Sequence, residues 1–233
     1  MTDLSTKSST ALPDLPGGPY DVEFFFDPGC PFAWQTSQWI RRVEELKGIA
    51  VGWRFISLKF INEGKDEYMP GAHAAQEQGL RYHRICAAAR EEFGNDAVAQ
   101  LYRAWGEAYW NTEGSGEFPD RIAAGFEHAD PAKLLASVGL PASLLDAADD
   151  ERWDDLIRAE TDEAFRRTGD DVGTPIISYL PSGHSLFGPV ISEVPDDETA
   201  VAFYDALRVF ADFEEFSELK RTHRAPLDLP LLR

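Results

Sequence analysis

The 233 residues carry 41 Asp and Glu against 22 Lys and Arg, a formal net charge of −19 at pH 7. A surface of that sign repels nucleic-acid phosphates and anionic lipid headgroups, so neither nucleic acid nor a membrane surface is an expected partner. With 43 % hydrophobic residues, six Trp, seven Tyr and fifteen Phe the chain can bury a core unaided, and its two cysteines, Cys30 and Cys86, offer neither a disulfide framework nor metal-ligand spacing, so no metal is expected.

Residues 1–19 are rich in Ser, Thr, Pro and Gly and contain no apolar run of signal-peptide length, which predicts a flexible arm. No stretch is long and apolar enough for a transmembrane helix, and the expected compartment is the cytoplasm, where an isolated thiol stays reduced. The first strong element is Val22-Glu23-Phe24-Phe25-Phe26, an aromatic run suited to a strand covered on both faces. Asp27-Pro28-Gly29 closes it, and Cys30 and Pro31 follow at the start of a helical pattern that runs through Trp34, Trp39, Ile40, Val43 and Leu46 to a stop at Gly48. Val51, Trp53 and Phe55 alternate as a second strand, which makes a βαβ unit with parallel strands.

From Asn62 to Gly169 strand patterns vanish, and helices are predicted near 70–93, 96–110, 119–128, 131–138, 142–148 and 150–168. Ile176–Leu180 and Ser185–Phe187 then flank the turn Pro181-Ser182-Gly183-His184 as a β-hairpin, and a last helix spans about 197–213. The order βαβ, helical block, ββα is that of an α/β thioredoxin-like fold with a large all-helical insertion. The predicted divisions are a thioredoxin-like domain at 20–61 and 170–220, the insertion at 62–169, and a C-terminal tail at 221–233.

Cys30 is the residue with chemistry to offer. A thiol at a helix N-terminus lies where free amides and the helix dipole favour an anion, and its pKa can fall from about 8.5 to below about 7, the range of a reactive thiolate. Asp27, three residues earlier, opposes this if its carboxylate points inward; the dipole and free amides are expected to outweigh one solvated carboxylate. The bland alternative is a small buried hydrophobe. Cys86, among Ile85, Ala87 and Ala88, reads as a core thiol, with a distant resolving cysteine as the other option.

The segment Asp27-Pro28-Gly29-Cys30-Pro31-Phe32-Ala33-Trp34 resembles the active-site segment of the DsbA family of thioredoxin-fold proteins, and within it the actinobacterial mycothiol-dependent, nitroreductase-like reductases. The likeness continues through Thr36–Ile40, Ser57-Leu58, Ile61-Asn62-Glu63, Asp171-Val172-Gly173-Thr174-Pro175, Phe187–Val190 and Glu218–Thr222, about residues 20–225. It implies that Cys30 is the nucleophile, that Pro175 follows a cis bond beside it, and that the backbone of Thr174 docks an extended substrate. Pro31, Phe32, Trp34, Gly173, Thr174 and Pro175 are then substrate-binding candidates, and Asn62 and Asn111 match positions implied to bind the thiol partner. Trp110, a further candidate for the cleft, stands where these reductases would have a His.

Ala33 departs from the Cys-x-x-Cys of relatives that shuttle a disulfide, so the expected chemistry is a monothiol cycle. Cys30 attacks a disulfide or electrophilic substrate, forms a mixed disulfide with a low-molecular-weight thiol (mycothiol in an actinobacterium, glutathione elsewhere), and is released by a second thiol molecule. Two alternatives stand beside it. One is an isomerase like the kappa-class glutathione transferases and 2-hydroxychromene-2-carboxylate isomerase, and the other is a redox-silent thioredoxin-fold binding protein. A homodimer is compatible with all three.

Overall fold

The computed structural model describes residues 12–66 and 71–233. Strand β1 (Val22–Phe26) is buried along its whole length and lies at the centre of a four-stranded sheet of order β2-β1-β3-β4. It pairs in parallel with β2 (Val51–Phe55) and antiparallel with β3 (Ile176–Tyr179), which pairs antiparallel with β4 (His184–Phe187). The βαβ unit and the later hairpin thus share one sheet, as in a thioredoxin-like fold. Between β1 and β2 runs α1 (Pro31–Lys47), opened by Pro31 in its first turn and closed by Gly48 at φ 67°.

The alternation of a strand sends successive side chains to opposite faces. Phe24 and Phe26 join Trp53, Phe55, Trp34 and Tyr102 in the main core, whereas Phe25 packs on the other face with Ile56, Ala164 and Ile176. Of the six helices predicted between β2 and β3, five are α-helical among the described residues: α3 (Ala72–Phe93), α4 (Asn95–Tyr109), α5 (Phe118–His128), α6 (Pro131–Ser137) and α7 (Asp154–Thr168), the last preceded by a 3-10 turn over Glu151–Trp153 where the prediction starts the helix at 150. A further short helix, α2 (Leu58–Ile61), precedes them and carries no sequence signal beyond one turn. The predicted start of the first insertion helix at residue 70 lies outside the described residues. The segment predicted as a helix at 142–148 is a 3-10 helix over Ala142–Asp149, entered by an i→i+3 bond from Leu144 N–H to Pro141 O at 3.2 Å. The last helix, α8 (Asp197–Asp212), packs on α1 through Trp39, Phe203 and Tyr204.

Two segments depart from expectation. The first eleven residues of the predicted loose arm lie outside the described residues, but from Pro13 onward it is attached: Pro13 O accepts from Arg54, and Leu15 is buried. The tail is also docked. Leu229 and Leu231 are buried, Leu231 N–H donates to Trp110 O, and Asp228 N–H donates to Ser192 O.

Helix α7 covers the sheet face opposite the main core, and this places charges inside. Arg54 lies 2.6 Å from Glu23 and 3.0 Å from Glu160, Glu160 also meets Arg90 at 2.9 Å, and Glu23 meets Arg167 at 2.6 Å.

Candidate active site

The turn that links β1 to α1 is held from three directions. Pro28 O accepts from two indoles, Trp105 Nε1 at 3.2 Å and Trp110 Nε1 at 3.1 Å. The Asp27 carboxylate, which is fully buried, accepts from Gly29 N–H and from Leu58 N–H, both at 2.7 Å. Its close fit explains two glycines: a Cβ at Gly29 or at Gly79 of α3 would meet Asp27 Oδ1 at 3.1 Å. Cys30 N–H donates to Asp27 O at 3.1 Å.

Cys30 occupies the N-cap of α1 with extended backbone, and Sγ accepts from Ala33 N–H at 3.4 Å, the task an N-cap oxygen usually performs. Across from it the Thr174–Pro175 peptide is cis. Thr174 is positioned by its hydroxyl, which donates to Phe25 O at 3.2 Å, and its carbonyl accepts the Cys30 thiol proton at 3.5 Å. Trp34 follows on α1 and donates from Nε1 to Asn111 Oδ1 at 3.3 Å. Its ring lies on Gly106 of α4, where an added Cβ would come within 2.1 Å.

The electrostatics overturn the expectation of an ionised Cys30. The residue is only 7 % exposed, and burial pushes its thiol up to about 12. The amides of Ala33 and Phe32 pull the other way, and the Asp27 charge adds to the rise. Burial wins because a thiolate loses more hydration there than two amide contacts return, and because Asp27 is desolvated rather than solvated. Asp27 is itself raised to about 7 by burial, against the pull of the Leu58 and Gly29 amides. The Tyr102 hydroxyl, buried and stacked on Phe26, is raised by burial and next by Cys30. His83 lies beneath the end of β1, with Nε2 3.0 Å from Phe26 O, and burial lowers it to about 3.

The remaining candidates fall around this centre at different removes. Pro31 and Phe32 follow Cys30 directly and are half-buried, with Arg224 of the tail 5.4 Å above the Phe32 ring. Gly173 precedes Thr174, and its Cβ position opens onto free space. Asn62 ends α2 and spends its amide on Leu58 O at 2.9 Å, so it is tied to the Cys30 turn only through Leu58 and Asp27. Asn111 is exposed and bound to Trp34, while Trp110 is buried and holds the turn. Cys86 is fully buried within α3, and burial pushes its thiol up. Among the described residues no group of three or more His, Cys, Asp or Glu gathers as a metal site. No helix of the described residues is long and apolar enough to cross a membrane.

Asp27 opposes a Cys30 thiolate if its carboxylate points inward, and it does; Tyr102 and Trp105 are buried, as their helical spacing suggests, but the bond from Trp105 to Pro28 and the reach of Arg224 to Phe32 carry no sequence signal. The spacing Asp27-x-x-Cys30 is a usable signal for the carboxylate.

Comparison with known proteins places this geometry. A family model described as Rv2466c-like, mycothiol-dependent nitroreductase Rv2466c, matches residues 29–221. An uncharacterized protein of Mycobacterium tuberculosis, Rv2286c, is 32 % identical over 212 residues, covering 91 % of this chain and 85 % of that protein. Among solved structures, a 2-hydroxychromene-2-carboxylate isomerase superposes with a TM-score of 0.51 at 13 % identity, over 84 % of this chain and 99 % of that one. DsbA2 of Pseudomonas aeruginosa gives a TM-score of 0.46 at 18 % identity, over 85 % and 97 %. At 13 % identity the likeness to the isomerase speaks to the fold alone.

Proposed function

The chain belongs to the Rv2466c-like family, and from that premise we propose that it is a thiol-dependent oxidoreductase in which Cys30 is the sole reacting sulfur and mycothiol the low-molecular-weight co-substrate. The observation that carries this reading is the placement of Cys30 Sγ between the Ala33 amide and the Thr174 carbonyl. One neighbour steadies an anion, and the other is the backbone along which an extended thiol or disulfide can lie. In this reading the thioredoxin-like part, 20–61 with 170–220, supplies the sulfur and its docking backbone. The insertion at 62–169 supplies the wall of Trp34's partners, and the reaction belongs to the cytoplasm.

The resting thiol is neutral and donates to Thr174 O. When a disulfide or electrophile arrives along Thr174, that contact is exchanged for one to the substrate and the thiol proton passes to solvent. The anion formed is held by the amides of Ala33 and Phe32. Thiolate attack forms a bond between Cys30 Sγ and one sulfur of a disulfide while the old S–S bond breaks and its other half leaves as thiolate. When the half retained on Cys30 is mycothiol, a second mycothiol attacks its sulfur, the bond to Cys30 Sγ breaks and restores the thiol, and mycothiol disulfide leaves. Because Ala33 stands where a resolving cysteine would be needed, release depends on that second molecule. With an electrophilic acceptor Cys30 Sγ bonds to it, a first mycothiol attacks that sulfur and the reduced acceptor leaves, and a second mycothiol releases Cys30 and departs as mycothiol disulfide, so the two thiols supply the two electrons.

The test is intact-mass analysis after incubation with mycothiol disulfide. A single mycothiol adduct, absent from Cys30→Ser and removed by added mycothiol, is the expected result. One specific observation, the burial and raised pKa of Cys30, favours a second reading as a redox-silent binding protein. That reading is correct if no adduct forms on the native protein while Cys30 in the denatured chain is modified readily.

A further inference from the structure

A chain with a net charge of −19 repels anions at long range, and most of its exposed cations are already spent on carboxylates. Arg42 is paired with Asp197, Arg103 with Glu107, Arg152 with Asp150 and Arg158 with Glu63. Lys65, Lys133, Lys220, Arg221 and Arg224 are exposed and, among the described residues, form no ion pair; of these, Arg224 lies against the segment that carries Cys30. The guanidinium of Arg224 lies 5.4 Å above the ring of Phe32, which is two residues from Cys30. The residues on its C-terminal side fix its position. Ala225 O accepts from Ser192 Oγ at 2.9 Å, Asp228 N–H donates to Ser192 O at 2.9 Å, and Leu229 and Leu231 are buried. The tail is therefore anchored immediately after Arg224, and an exposed cation is brought to the Cys30 turn from the far end of the chain.

We propose that Arg224, in a stretch of chain that also carries the exposed cations Lys220 and Arg221, forms a cationic rim that selects an acceptor bearing a carboxylate or sulfonate and presents it to Cys30. This rests on the reading of Cys30 as the reacting thiol and adds to it the charge class of the substrate. The guanidinium offers a planar donor fork for an anionic group, and Phe32 beneath it offers an apolar face for the body of the same molecule.

The rim is tested by the ratio of two rates at Cys30, for the dianionic 5,5′-dithiobis(2-nitrobenzoate) and for the neutral 2,2′-dithiodipyridine. In each case the thiol loses its proton to solvent, Cys30 Sγ bonds to one sulfur, and the other aryl thiolate leaves. Arg224→Gln is expected to lower the anionic-to-neutral ratio about threefold and the triple variant Lys220→Gln, Arg221→Gln, Arg224→Gln about tenfold, with the wild-type ratio falling as salt is raised. An unchanged ratio in the triple variant overturns the proposal. These side chains are exposed, so their loss does not threaten the fold. A second measurement separates the rim from the thiol chemistry: calorimetric binding of 4-nitrobenzoate against 4-nitrobenzamide to Cys30→Ser. Preference for the anion that disappears on adding the triple substitution supports the rim even if Cys30 reacts with neither disulfide, a result that would count against Cys30 alone. No preference for the anion overturns the rim whatever Cys30 does.

Discussion

The Cys30 thiol and the Thr174 carbonyl, 144 residues apart in the chain, meet at 3.5 Å with the thiol as donor. That contact needs the proton, and the buried setting keeps it there. The rate of Cys30 alkylation by iodoacetamide, followed by intact mass, is therefore expected to climb with pH without levelling off below about pH 10, unlike an exposed thiol of pKa about 8.5. Asp27→Asn removes a charge that raises Cys30, so its profile is expected to shift to lower pH. A plateau near neutral pH in the unmodified protein refutes the buried, neutral thiol.

The raised pKa of Asp27 has a consequence for stability. Its folded value, about 7, lies above the ordinary carboxylate value of 3.8, so the folded state retains a proton that the unfolded chain releases. Its favourable contribution is complete below about pH 4 and is lost as pH rises through about 7, an effect on the order of 4 kcal/mol for a shift of this size. His83 runs the other way: lowered to about 3 by burial, it costs stability as pH falls from about 6.5. Denaturant titrations of wild type and Asp27→Asn between about pH 4 and 8 isolate the first contribution as a difference. The wild type is expected to lose ground to the variant as pH rises, and a flat difference would show that Asp27 titrates normally.

Much of the frame is legible in the sequence because patterns of period 2 and 3.6 report burial directly. Val22–Phe26, the helix that Gly48 closes and four of the insertion helices fall close to where expected, whereas 142–148 is a 3-10 helix and the helix expected from residue 150 starts at Asp154 after a 3-10 turn. The Thr174–Pro175 bond came from resemblance, since nothing in the local residues separates a cis from a trans proline. What stayed hidden depends on a second layer. At Cys30 the helix-terminus pattern favours a thiolate, but how much of the sulfur water can reach is decided by walls drawn from distant parts of the chain. Arg54 alternates with Val51, Trp53 and Phe55 as a solvent-facing residue would, and only the return of α7 across the sheet buries it. Arg224 lies in a segment whose only sequence signal is Pro and Leu, yet Leu229 and Leu231 anchor it.

The buried position of Arg54 predicts a severe variant. Arg54→Met removes the cation between Glu23 and Glu160, whose side chains are 7 % and 2 % exposed. Arg167 still faces Glu23 and Arg90 still faces Glu160, but each carboxylate loses a direct partner. Breaking one member of a buried ionic group costs about 3–5 kcal/mol, and urea unfolding should show a loss within that range. A change below about 1 kcal/mol would mean that the group is hydrated and exposed in solution.

Gly106 provides the sharpest steric test of the site. An added methyl would lie 2.1 Å from the Trp34 ring, a separation that no ring adjustment within a packed core absorbs without moving Trp34 or α4. Trp34 is 1 % exposed, makes an edge contact with Tyr102 and donates to Asn111, so its displacement disturbs Tyr102, whose hydroxyl interacts with Cys30. Gly106→Ala gains helix propensity of about 1 kcal/mol, yet overpacking of this kind costs about 1–3 kcal/mol or more. The expected outcome is net destabilisation in urea unfolding together with faster alkylation of Cys30, because a displaced Trp34 loosens the enclosure that keeps the thiol neutral. A variant as stable as wild type, with Cys30 equally slow to react, would show that Trp34 does not pack on α4 at this position.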